Sequence, residues 1–412
     1  LTLCIPAPAQ DKLPITGLAH PDLVPFDAMM TKFVRDHKVP GAALAVARDG
    51  KLVYARGFGY ADRGKRLPVQ PKARFRIASI SKPITAVAIL HLIEQGKLKL
   101  DDRVFDRLDL APPPGRKRDP RLKNVTVRQL LQHTGGWDRD LSFDPMFRPI
   151  LIAEELGTKP PAGPAQVIRY MLGEPLDFDP GRRYAYSNFG YCVLGRLIEK
   201  VTDKTYETYV RQEILAPLGI RDMQIGKTLE TAPGEVHYYD EKGRTAPAVV
   251  GPNLGKPVPT PYGAWYLEAM DAHGGWIASA PDLVRFAAAF DHPERCKILK
   301  PASIRTMFAR PAGQAGFAKD GKPLDSYYAC GWSIVVENPS CTNTWHAGSL
   351  DGTATILVRR CDGLTWVVLF NTLNDPRGES LTGLVDGLVH EAANRVQRWP
   401  ARDLFVLPPT AP

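Results

Sequence analysis

Apolar and polar positions change period several times along this chain, and each change marks an element. Residues 20–37 repeat at helical spacing and predict an amphipathic helix. Gly41–Arg48 and residues 51–59 are strand-like runs joined by Asp49-Gly50, a dipeptide that favours the tight turn of a hairpin. From 79 to 95 the apolar residues Ile84, Val87, Ala88, Leu92 and Ile93 return at helical spacing. Pro83 falls in the first turn of that helix, where proline is tolerated, and Gly96 is placed to end it.

Between about 101 and 260 the texture changes. Helical stretches at 127–133, 165–172 and 191–201 are separated by proline-rich loops. Pro252, Pro257, Pro259 and Pro261 mark an irregular segment leading to Tyr262, Trp265 and Tyr266. Those aromatics either line a binding cleft or pin the loop to the body. Beyond Gly274 the pattern predicts a helix at 280–290 and strands at 331–336, 343–346, 353–360 and 365–371, with a closing amphipathic helix at 381–398. Strands at both ends, a helical middle and a closing helix predict an α+β fold, an antiparallel sheet flanked by helices with an inserted all-α lobe. The expected division is an N-terminal stretch, 1–15, as signal remnant or disordered tail, then one domain at 16–408. Within it an α/β lobe (about 16–105 and 275–408) carries a mainly helical lobe (about 106–274). There is no internal repeat.

Composition narrows the class. Of 412 residues, 44% are hydrophobic and 24% charged, which suits a soluble globular chain with a substantial core. The formal charge is +9. Such an excess favours anionic partners, yet apart from Arg116, Lys117 and Arg118 the basic residues are scattered. No zinc-finger spacing or RNA-binding motif accompanies them, so a solvated basic surface is expected and a nucleic-acid partner is not. No apolar run is long enough to span a bilayer. Residues 1–10 read as the tail of a secretory signal, with Ala7-Pro8-Ala9 as the small-x-small pattern before a cleavage site. A periplasmic or secreted location is therefore expected, the alternative being a frayed N-terminus on a cytoplasmic protein. Cys4 as a lipid anchor is disfavoured by the bulk of Leu3 before it.

None of the six cysteines forms a Cys-x-x-Cys pair, and no two of the nine histidines are spaced for a metal, so no metal or cofactor is expected. Cys341 and Cys361 flank two strand-like runs that a turn near Asp351 would bring opposite each other. A disulfide there suits an exported protein, while cross-strand geometry often disfavours one. Cys192 lies in an apolar helical pattern and reads as core filling.

Three short segments carry chemistry. In Ser79-Ile80-Ser81-Lys82, residues three apart share a helix face, so Lys82 can reach the Ser79 hydroxyl. A helix start also offers unpaired N–H groups to developing negative charge. A lysine with an ordinary pKa of about 10.4 is a poor base at neutral pH, but burial or a second cation lowers that value. Alone, the motif equally describes an N-cap serine and a surface lysine. Tyr186-Ser187-Asn188 sits on a turn before a helix; a tyrosine beside a lysine can act as a phenolate-like base, and an asparagine can hold the lysine or a substrate carbonyl. His346-Ala347-Gly348-Ser349 ends a strand, where a cation or donor could orient substrate and Gly348 would let a ligand approach the backbone. A lone histidine there would otherwise read as structural.

The ordered set resembles the serine β-lactamase and penicillin-binding-protein superfamily, in its class C-like branch of β-lactamases, esterases, D-aminopeptidases and DD-carboxypeptidases. The resemblance runs from about His20 to Ala393. It extends to residues 75–79 (Phe-Arg-Ile-Ala-Ser), 130–136 (Leu-Leu-Gln-His-Thr-Gly-Gly), 274–279 with Asp282-Leu283, and Cys330-Gly331-Trp332. It implies that Ser79 forms an acyl-enzyme with a small-molecule or peptide substrate. Lys82 and Tyr186 would move the proton, and Asn188 would position Lys82 and substrate. The backbone N–H groups of Ser79 and Ser349 would form the oxyanion hole. Class C β-lactamases carry Lys-Thr-Gly where this chain has His346-Ala347-Gly348, and a histidine, largely neutral at pH 7, holds a carboxylate less well. An ester or peptide substrate is therefore expected ahead of a β-lactam. Alternatives are a β-lactamase or DD-carboxypeptidase acting on cell-wall-type substrates and, from another class, a non-catalytic peptidoglycan-binding or scaffold protein. An α/β-hydrolase is disfavoured because no Gly-x-Ser-x-Gly elbow is present.

Overall fold

The computed structural model describes residues 12–240 and 242–406; the expected signal remnant and Cys4 lie outside the described residues. A nine-stranded antiparallel sheet organises the chain. Its order is Ile15–Thr16, Lys51–Asp62, Gly41–Arg48, Leu364–Phe370, Thr353–Arg359, Cys341–Leu350, Ser333–Asn338 and Ser326–Tyr328, with Leu67–Pro68 paired to Lys51–Asp62. N-terminal and C-terminal strands meet at its centre, where Ala43 faces Leu369. The Asp49-Gly50 hairpin forms as its sequence predicts. The strand predicted at 343–346 is longer, Cys341–Leu350, because its pairing with Thr353–Arg359 continues to Leu350 opposite Thr353.

Alternate residues of the central strands point to opposite faces. Leu44, Val46, Ile356, Val358, Val368 and Phe370 pack under the helices Val24–Asp36 and Leu381–Asn394. Ala43, Ala45, Leu357, Val367 and Leu369 face the second core, which holds Ser81–Glu94 and Ala280–Ala288. Both faces are covered, which is why these strands read as apolar runs rather than alternating ones.

The helix Ser81–Glu94 buries 11 of its 14 residues, so it has no solvent face and forms the axle of the helical region. A three-stranded sheet, Phe75–Arg76, Trp276–Ala278 and Gln224–Ile225, lies at its start. These strands are too short to show a period in sequence. Cys192 is buried as core filling, and Cys341 and Cys361 form a disulfide. Among the described residues no helix is long and apolar enough to cross a membrane.

Candidate active site

The chain enters the site from strand Phe75–Arg76 and makes a single 3-10 turn, Ala78–Ile80, before the helix proper begins at Ser81. Ser79 therefore stands on a tight turn, not on the regular helix that the sequence pattern predicts. Ala78 adopts φ +44°, a left-handed backbone that a residue with a Cβ rarely takes. Strain of this kind costs roughly 1–3 kcal/mol and persists only where the surroundings over-determine it. Here the Ala78 methyl is buried against Leu267, Met270 and Leu350. The Thr353 and Thr355 hydroxyls donate to the carbonyls of Arg76 (2.8 Å) and Ile77 (3.0 Å), fastening the turn to the sheet.

Lys82 follows one turn later and is fully buried. Its amine donates to Ser79 Oγ at 3.0 Å and to the His273 carbonyl at 2.8 Å. Burial pushes its pKa well down, the Asp144 carboxylate pulls it back up, and the Arg139 guanidinium lowers it further. The shift is in the direction that a proton-accepting amine requires.

Tyr186 arrives on the turn before helix Asn188–Thr202, capped by Ser187. Its hydroxyl is near enough to Ser79 to feel it in its pKa. The Lys82 amine lies 4.8 Å from its ring centroid and the Arg139 guanidinium carbon 4.9 Å from it. Burial raises the phenol pKa above its ordinary value, against the influence of Ser79 that lowers it. The phenol is thus protonated at neutral pH, which leaves Lys82 as the group able to accept a proton first. His133 supports this turn: its Nδ1 accepts from the Ser187 N–H at 3.1 Å, and its ring packs 4.3 Å from that of Tyr186.

Asn188 is buried beside these groups, but its Nδ2 donates to Asp144 Oδ2 at 2.6 Å, and no hydrogen bond joins it to Lys82. A carboxylate only accepts, so the amide must turn its NH2 toward Asp144 and present Oδ1 on the other side. That Oδ1 is buried and has no protein partner.

The expectation of a cation or donor at His346 meets a different arrangement. Nδ1 lies 2.7 Å from the Ala347 carbonyl, which can only accept, so Nδ1 carries the proton. Nε2, 3.0 Å from the Tyr328 hydroxyl, then accepts from it. Burial, with the Lys82 charge, lowers the ring to about 3. Both nitrogens are spent on the protein and the ring is neutral. At Gly348 a Cβ would fall 2.2 Å from the Ile77 carbonyl and 2.4 Å from Thr355 Oγ1. The close approach this glycine permits is thus to the nucleophile's own turn, in place of the expected ligand. Ser349 is exposed, on a stretch of Cys341–Leu350 beyond Trp345, where pairing with Ser333–Asn338 has ended. That edge leaves main-chain groups for a ligand.

Ser79, Lys82, Tyr186 and the Tyr186-flanking residues thus converge, with His346 linked through Tyr328 to the same aromatic cluster. Sequence reasoning missed Asp144, Arg139, His133, Tyr328 and His273. His133 was within a family-like segment and His273 stands one residue before another; Asp144 and Arg139 lie in loops with no motif to flag them. The predicted cleft aromatics divide. Tyr262 accepts from the Tyr238 N–H (2.8 Å) and pins its loop, while Trp265 meets Phe147 edge-to-face at 5.8 Å beside the Ala78 cluster. Among the described residues one group, His37, Asp375 and Glu379, could hold a metal. It shares no residue with this site, and Arg377 already pairs with both of its carboxylates.

A family model described as Beta-lactamase matches residues 26–389. Protein flp of Staphylococcus aureus (strain N315) is 24% identical over 380 residues, 92% of this chain, which spans about two thirds (68%) of that relative. The octameric penicillin-binding protein homologue from Pyrococcus abyssi superposes with a TM-score of 0.66 at 26% identity, covering 89% of this chain and 78% of that one. D-amino acid amidase from Ochrobactrum anthropi SV3, solved with D-phenylalanine, shares the fold with a TM-score of 0.66 at 22% identity, covering 91% and 99%. The family match takes in the Ser79 turn, Tyr186 and the His346 strand together, and the chain belongs to the beta-lactamase family, a group of hydrolases sharing the β-lactamase fold.

Proposed function

We propose that this protein is a serine hydrolase that cleaves an ester through an acyl-enzyme on Ser79. The observation that carries the reading is the fully buried Lys82 amine, pushed well down in pKa and 3.0 Å from Ser79 Oγ. Lys82 takes the Ser79 proton as Oγ bonds to the substrate carbonyl carbon. The resulting oxyanion is met by the N–H groups of Ser79 and Ser349. As the carbonyl–oxygen bond breaks, the proton passes to the leaving alkoxide through the Tyr186 hydroxyl. Water then attacks the acyl-enzyme, giving its proton back through the same pair, and acid and alcohol leave with Ser79 restored. His346, neutral and fully engaged, supports a non-β-lactam substrate, since no cation stands at the position where class C β-lactamases keep a lysine.

The unpartnered Asn188 Oδ1 favours a second reading, hydrolysis of an amide whose N–H it would accept. That chemistry matches the name of the amidase neighbour. Export to the periplasm or medium belongs to the same proposal and is supported by the Cys341–Cys361 disulfide, which persists in oxidising compartments. Fractionation of the producing cells tests that part; a purely cytosolic, reduced protein would overturn it.

The test of the activity is labelling by a fluorophosphonate together with turnover of 4-nitrophenyl butyrate, nitrocefin and D-alanine 4-nitroanilide. Wild type is expected to label and to turn over the ester faster than nitrocefin, and Ser79→Ala to lose labelling and turnover. A Ser79→Ala protein that labels as wild type refutes the nucleophile, and preferential nitrocefin hydrolysis refutes the substrate class.

A further inference from the structure

We propose that Arg139 is the specificity-determining residue of this cleft, an anchor for a carboxylate carried by the substrate. The inference rests on the reading of Ser79 as nucleophile and adds the charge of the substrate to it. Its first support is position. The Arg139 guanidinium carbon lies 4.9 Å from the centroid of the Tyr186 ring, the same ring that the Lys82 amine approaches to 4.8 Å. A group bound by Arg139 is therefore held beside the ring that the Lys82 amine also faces.

The second support is availability. The Arg139 side chain is 43% exposed, while Lys82 is fully buried. Its one ion pair among the described residues is to Asp140, Nε to Oδ1 at 3.9 Å, and that carboxylate is 91% exposed. A long pair between solvated groups holds a guanidinium weakly. The two terminal nitrogens remain as a planar fork, the shape that binds a carboxylate through two parallel hydrogen bonds. The neighbouring Arg183 is committed elsewhere, to Asp138 at 2.7 Å.

The third support is elimination at the reacting centre. His346 has both nitrogens engaged and carries no charge. Lys82 must be neutral to accept the Ser79 proton and is fully buried. The Asp144 carboxylate, which would repel an anion, is taken up by the Asn188 amide and the Met146 N–H. Arg139 is thus the cation that the cleft offers to a substrate. The resemblance to Lys-Thr-Gly enzymes implies an anion site on the His346 strand; Arg139 puts it on the loop after Trp137.

The experiment uses two matched ester pairs on the whole protein. One sets mono-4-nitrophenyl adipate, charged on the acyl side, against its methyl ester. The other sets 3-carboxy-4-nitrophenyl butyrate, charged on the leaving group, against its methyl ester. Wild type is expected to prefer the charged member of at least one pair by tenfold or more in kcat/KM, chiefly through KM, and the pair that responds assigns the side. Added salt should erode the preference. Arg139→Gln should bring the ratio near one, and Arg139→Lys should restore part of it. A wild-type ratio near one overturns the proposal, and so does a ratio that Arg139→Gln leaves intact. The wild-type ratio and its salt dependence decide the matter even if a variant fails to fold. Hydrolysis that survives Ser79→Ala would instead refute the nucleophile, so the two readings fail separately.

Discussion

The two sides of the central sheet follow opposite rules. Beneath the helices Val24–Asp36 and Leu381–Asn394 the packing is apolar and closed, with Phe33 stacked on Phe370 at 5.5 Å. On the side that carries Ser79 the interior holds a lysine, three histidines, an asparagine and the Asp144 carboxylate. Three of their polar atoms, His133 Nε2, His273 Nε2 and Asn188 Oδ1, lack a protein hydrogen-bond partner. That side also keeps the strained backbone of Ala78. Burying such groups opposes folding, so one half of the molecule supplies stability that the other half uses to hold reactive groups in place. Stability and activity should therefore respond to different residues.

The largest contrast comes from Lys82→Met. Turnover of 4-nitrophenyl butyrate should fall at least about a thousandfold, since the general base is removed. The thermal midpoint should hold or rise. The sign follows from linkage: a lysine held neutral in the fold has a folded pKa below its unfolded value of about 10.4. Its contribution to stability thus grows as pH rises through the interval between the two and is unfavourable at neutral pH. Methionine has no such dependence. A midpoint that drops by more than about 10 °C would mean that the amine is structural and would erase the contrast.

Phe33→Ala is the mirror image. Deleting a buried ring on the quiet side should cost about 3–5 kcal/mol of stability, read from denaturant midpoints. Turnover per folded molecule should keep its wild-type pH profile. A changed profile would couple the two sides more closely than this division allows.

Smaller effects sharpen the description of Lys82. The acid limb of kcat/KM on a neutral ester reports its protonation, with activity lost as pH falls through its folded pKa. Asp144 raises that pKa and Arg139 lowers it. Asp144→Asn should move the limb to lower pH and Arg139→Gln to higher pH, each by a few tenths of a unit to one unit. Shifts in the same direction would contradict the electrostatic assignment. Least of all, Ala78→Gly should relieve the φ +44° strain while loosening the turn and losing a buried methyl, for a net stability change under about 1 kcal/mol. Its turnover should fall severalfold; unchanged turnover would show that the strain does not position Ser79.

Much of this was legible in the chain because it is written locally. The Asp49-Gly50 hairpin, the Ser79-to-Lys82 spacing and the turn of Tyr186-Ser187-Asn188 each depend on neighbours within a few residues. Helix Ser81–Glu94 was legible as a helix but not as a buried axle, because helical spacing counts apolar positions and cannot see what covers the others. His346 was legible as a position but not in its state, which is set by Tyr328 and the Ala347 carbonyl.

The sequence by itself determined that a serine and a lysine share one turn, that a tyrosine waits on a distant loop, and that strands from both ends can close one sheet. Local geometry and hydrophobic period suffice for that. Only the tertiary structure decided which charges survive around Ser79. It buried Lys82 so that its pKa falls, gave the Asn188 amide to Asp144, silenced His346 and left Arg139 partly exposed. Charge state in a protein depends on desolvation and on partners far away in sequence, and neither is readable until the chain has folded around them.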